Sequence, residues 1–255
     1  MKWFLWILIF LAFFTPIIFT GKGIDHLDIM KDRYKRALDA GVSSAARAVS
    51  YENQEGLEQT GMGFGIQQQN ANNIPVDKDR ALDWFYRVFY RNLGIDNNLA
   101  AQKNLNQYIP MKAIAGFDRL MIADVHDNWV AEAYYDIQYR GETYRFTLSE
   151  QTQNKATGVW GRDVDFGIDS AVRRTLVSEF IKGKLNQFLE QRENQESSYI
   201  YEVNISSQDF DVKTDNIQGI SFVVMVEGLP LPTLNPWKRE KFYAFSLGGT
   251  EIRRQ

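Results

Sequence analysis

The chain has no cysteine, which excludes disulfides, thiolate metal sites and a cysteine nucleophile, and leaves the redox compartment open. Histidine is almost as scarce, with His26 and His126 a hundred positions apart, so a histidine-based metal site has no starting point. No excess of positive charge exists: 29 Lys and Arg face 32 Asp and Glu, for a net charge of -3. Phosphate neutralisation needs a basic surplus, so nucleic acid is excluded as an expected partner. The G-x-S-x-G elbow, the H-E-x-x-H helix and the G-x-x-x-x-G-K-S/T loop are all missing. The expectation is a chain without catalysis and without a cofactor.

Apolar content is not lacking. Hydrophobic residues make up 44% and aromatic residues 14% of 255 residues, enough to build a sizeable core. Trp3 to Phe19 carries no charge, and as a helix it would reach about 25 Å, near the lower limit for crossing a bilayer core. Trp3 and Trp6 stand at one end, where amphipathic rings favour the interface, and Lys2 and Lys22 bracket the run. Bulky Ile18 and Phe19 occupy positions where a signal-peptide cleavage site needs small residues. Residues 1–23 are therefore expected to be an uncleaved, single-pass membrane anchor. Lys22, Lys31, Arg33, Lys35 and Arg36 outnumber the positive charges before the run, but Asp25, Asp28 and Asp32 share their flank. The expected orientation puts the bulk of the chain outside the cytoplasm.

Residues 24–50 repeat apolar positions every three or four residues, through Leu27, Met30, Tyr34 and Leu38, and predict an amphipathic stalk helix. Its second half presents small residues at four-residue spacing, Ala37, Gly41 and Ala45, with Ala48 beside them. Small side chains allow close backbone approach, so this stripe is the candidate interaction site, facing either the protein's own core or a second copy of the chain. Residues 51–75 are polar and without periodicity, a linker. The Gly61–Gly65 run within it lacks the Lys and following helix of a phosphate-binding loop, and reads as flexibility.

Residues 76–255 predict an α+β domain with an antiparallel, meandering sheet and two further helices. Asp77 to Leu93 is the first helix, with Asp77 as cap and Gly94 as stop. Asn97 to Gln107 suggests one helical turn, and Ser170 to Arg192 is the second long helix, opened by Asp169. Strands are expected at Met121 to Val125 and Asn128 to Tyr139, hinged at His126-Asp127. A return strand follows through Tyr144, Phe146 and Leu148 after a turn at Gly141. Later strands are expected at Tyr199 to Ile205, Ile217 to Val226 and Lys241 to Leu247, the middle one buried on both faces. Asp118, Asp124 and Asp127 surround His126 and are the one cluster with carboxylates for a hard cation. The spacing is not that of a calcium loop, and Asp and Asn are ordinary turn formers. The Asn204-Ile205-Ser206 sequon reads as chance within a strand.

An apolar span running into a small-residue helix, followed by an aromatic-rich α+β head, resembles bacterial pilin-like and tight-adherence (Tad/Flp-type) pilus-associated proteins. The likeness covers residues 1–50. No Glu lies near the start of the run and no Gly-Phe cleavage motif precedes it, so the resemblance transfers architecture and no functional residue. It implies a structural or assembly component of a cell-surface apparatus, with protein partners that include other proteins of the apparatus or further copies of the chain. The alternative reading is a membrane-tethered domain that binds a peptide, ligand or envelope polymer through its sheet.

Overall fold

A computed structural model of the chain describes residues 27–49, 76–148, 150–195, 220–231 and 240–249. The expected anchor, linker, Tyr199 to Ile205 strand, Gly61–Gly65 run, His26 and Asn204 sequon lie outside the described residues. Among the described residues, no helix is long and apolar enough to cross a membrane.

The fold is α+β. Helix α1 covers residues 27–49, α2 Lys78–Leu93, α3 Leu99–Asn106 and α4 Ser170–Gln195. Strands are β1 Met111–Ala115, β2 Arg119–Ala123, β3 Trp129–Tyr134, β4 Asp136–Tyr139 and β5 Glu142–Phe146. They continue with β6 Gln151–Asn154, β7 Trp160–Arg162, β8 Ser221–Leu231 and β9 Glu240–Gly249. The helix ends follow the expected chemistry. Asp77 accepts the amide of Arg80 at 2.8 Å, Gly94 closes α2 at φ 73°, and Asp169 accepts the amide of Ala171 at 2.7 Å.

One expectation is corrected: the antiparallel strands form two sheets, not one meander. The larger sheet runs β3-β2-β1-β8-β9, so the last two described strands complete a sheet begun by the first three described. The smaller runs β4-β5-β6-β7. The Ala133 to Tyr139 alternation, which read as one strand edge, breaks at Tyr135, where the chain leaves the first sheet for the second. Tyr135 is fully buried there, its amide donates to Asp118 O, and its hydroxyl lies 3.0 Å from both Gly116 O and Arg119 O. That side chain pins the crossing point. Strands β6 and β7 were not expected, because short polar segments such as Gln151–Asn154 carry no apolar period. The expected helical turn near residue 100 is the complete helix α3, capped by Asn98.

The larger sheet is the middle layer. Along β8, Phe222, Val224 and Val226 face one core with α1, α2 and α3, while Val223 and Met225 face the other with α4 and the smaller sheet. Burial on both faces is what the apolar run from Phe222 to Val226 within β8 predicts.

Helix α1 is part of the first core. It runs along β9, with Lys31 bonded to Glu240 at 3.0 Å, Tyr34 against Phe242 at 5.7 Å between rings, and Asp39 accepting the Ser246 hydroxyl. The β9 side chains on this face shrink in order, Phe242, Ala244, Ser246, Gly248, so the helix closes on the strand toward its C-terminal end. At Gly248 an added Cβ would lie 2.9 Å from the backbone of Val42 and Ser43.

Candidate functional site

The small-residue stripe faces inward. Ala37, Gly41, Ala45 and Ala48 are buried, and a Cβ on Gly41 would stand 3.1 Å from the Phe85 ring, the Phe85 carbonyl and the Phe89 Cβ of α2. Of the two partners the sequence allows, the structure supplies the first, the chain's own core. The aromatic ladder Phe85, Phe89 and Phe222, with ring separations of 5.3 and 5.6 Å, fills the space that small residues leave.

The aspartates around His126 do not converge. Asp124 accepts the backbone amides of His126 and Asn128 at 2.8 and 3.0 Å, a turn-forming role, while Asp118 pairs with Arg119 at 2.8 Å. Asp127, at φ 64°, turns instead into the protein. Its Oδ1 accepts the Lys112 ammonium at 2.5 Å and the Tyr86 hydroxyl at 2.7 Å, and the ammonium stands 3.2 Å from that hydroxyl. Among the described residues no group of acidic or histidine side chains is arranged to hold a metal ion.

Lys112 was not singled out from the sequence, although a charge inside the apolar stretch Met111–Ala115 is a visible irregularity. It sits on a central strand with its side chain at 0% exposure. Burial and the Asp127 carboxylate both disfavour phenolate, so they push the Tyr86 hydroxyl far above its ordinary range. Chemically the three groups hold one proton arrangement: ammonium and hydroxyl both donate to one carboxylate oxygen. The effect is to tie α2 and the β2–β3 turn to β1.

A second polar cluster marks the step between the sheets. The Tyr134 ring lies between the guanidiniums of Arg119 and Arg145, at 4.3 and 3.9 Å from the ring centre. Arg119 also reaches Glu132 at 2.6 Å, and Arg145 grips Asp136 through two bonds of 2.7 and 2.8 Å. Those bonds hold the Asp136 carboxyl below the usual carboxylate range. A depressed folded pKa contributes stability that is present above the unfolded pKa and disappears as pH falls through the folded one, below about pH 4. Arg145→Gln is expected to return the Asp136 titration midpoint, followed by carboxylate NMR, toward the ordinary value. An unchanged midpoint would mean that other groups depress it.

A groove of about 630 Å³ opens between α1, α3 and the far end of β8. Met30, Leu93, Ile95, Leu105, Leu229 and Pro230 give it apolar walls, and Arg33, Tyr34, Asn104, Gln107 and Tyr108 give it polar ones. Arg33 donates to Leu93 O at 2.8 Å, which holds the end of α2 against α1. This lining suits binding of an apolar group with a polar end. No protein-family model, curated protein or solved structure matches the chain.

Proposed function

We propose that this chain is a single-pass, membrane-anchored structural or assembly component of a bacterial cell-surface apparatus, such as a pilus, secretion or conjugation machine, with its α+β head outside the cytoplasm. The observation that carries the reading is the position of α1. The apolar run of the expected anchor ends at Phe19, and α1, eight positions on, is already part of the core shared with α2 and β9. A head joined in this way is held close to the membrane, which suits a part that must sit at a defined place in an assembly. The groove between α1, α3 and β8 favours a second reading, a tethered domain that binds a peptide or other amphipathic ligand without joining a stable complex.

The protein is expected to stay with membranes after alkaline carbonate extraction, and the chain without residues 1–23 to be soluble and folded. Release of the full-length chain by carbonate would remove the anchor from this reading. Crosslinking in intact cells separates the two functions, since an assembly component enters a high-mass complex and a binding domain stays monomeric until ligand is added.

A further inference from the structure

Seven residues, 20–26, separate the apolar run from α1, and even fully extended they reach only about 25 Å. A domain of this size has a radius of gyration of about 16 Å, so such a tether cannot pass around to its far side. The end of the head that carries the first turn of α1 must therefore face the bilayer. Two large apolar side chains stand exposed on α1 and α3, the helices that line the groove together. Leu99 opens α3 at 79% exposure, the highest among the described large apolar residues, and Ile29 lies in the first turn of α1 at 65%. The groove joins their neighbourhoods, because Met30 and Arg33 of α1 and Ala101, Asn104 and Leu105 of α3 line it together. Tyr34 and Tyr108 in the same lining are residues that favour the boundary between water and lipid.

We infer that the corner made by the first turn of α1 and the start of α3 rests on the membrane surface, with Ile29 and Leu99 dipping into the headgroup region. The inference depends on the anchored reading above. Charge is not the main attraction, since Asp28 and Asp32 offset Lys31 and Arg33 on the same turns. The contact is apolar, so it is expected on neutral lipid as well as on anionic lipid.

The absence of cysteine makes the test direct. Single variants Ile9→Cys, Ile29→Cys, Leu99→Cys and Val159→Cys of the full chain each accept one environment-sensitive fluorophore and are reconstituted into phosphatidylcholine vesicles. Quenching is then read from lipids spin-labelled at a shallow or a deep acyl position. Val159 is exposed in the turn between β6 and β7 of the smaller sheet, in the layer opposite α1, and serves as the distant reference. Shallow-label quenching at positions 29 and 99 is expected to exceed that at 159 by about twofold or more, as for side chains about 5 to 10 Å into the interface. Deep-label quenching at position 9 reports the anchor itself. Quenching at 9 with positions 29 and 99 no different from 159 overturns the inference and leaves the anchor standing. No quenching at position 9 overturns the anchored reading, and the inference falls with it.

Discussion

Gly41→Leu is expected to lower the melting temperature of the chain lacking residues 1–23 by roughly 2 to 12 °C, corresponding to an overpacking penalty of about 1 to 3 kcal/mol. A single Cβ at this position already meets Phe85 and Phe89 at 3.1 Å, and one of the contacted atoms is the Phe85 carbonyl oxygen, which cannot rotate away. The isobutyl group must push α1 away from α2. Gly248→Ala is expected to have a comparable effect although it adds one methyl group, because its neighbours at 2.9 Å are the backbone atoms of Val42 and Ser43. The two substitutions act on opposite sides of α1, and both weaken its attachment to the head. Since the stripe is used within one chain, neither change should alter crosslinking between copies beyond the loss of folded protein. A variant of Gly41 that keeps its melting temperature but loses crosslinked oligomers would mean that this face meets a second copy.

Asp127→Asn is expected to destabilise the protein by about 3 kcal/mol, the lower end for breaking a buried ion pair, since the Asp127 side chain is 33% exposed and partly screened by water. The mechanism is one-sided. Lys112 cannot reach water, so loss of the carboxylate leaves its charge facing a neutral amide, whereas Asn tolerates the positive φ at position 127. Lys112→Met, which fills a similar volume without charge, should remove most of the penalty when combined with Asp127→Asn, and alone should cost less than Asp127→Asn. Urea unfolding of the four proteins in a double-mutant cycle measures the coupling. A loss below about 1 kcal/mol for Asp127→Asn would show that other contacts of Lys112 carry its charge.

The legible parts of the fold are those encoded by neighbours in sequence. Asp77, Gly94 and Asp169 act within one turn of the helices that they begin or end, so their roles follow from hydrogen-bonding chemistry alone. Within β8, Phe222 to Val226 display their burial on both faces as an unbroken apolar run. The division between two sheets was not visible, because a period of two continues through Tyr135 whichever sheet the next residues join. The hydroxyl that holds the crossing point meets carbonyls at Gly116 and Arg119. Nor does the sequence reveal the groove, which draws its walls from α1, α3 and β8.

By itself, the sequence determined that the described head is α+β, where α2 starts and stops, where α4 starts, and which face of α1 would be buried. Tertiary structure alone decided what covers that face and which aspartate turns inward. Four-residue spacing of Ala37, Gly41 and Ala45 specifies a surface that admits close approach, and such a surface fits a neighbouring copy and an internal helix equally well. The choice rests on Phe85 and Phe89, more than forty positions away, and on Gly248, more than two hundred away. Lys112 and Asp127 likewise become a pair only when β1 and the β2–β3 turn are folded together. Local periodicity records what each segment can bury, while the partner is set by contacts whose sequence separation leaves no periodic trace.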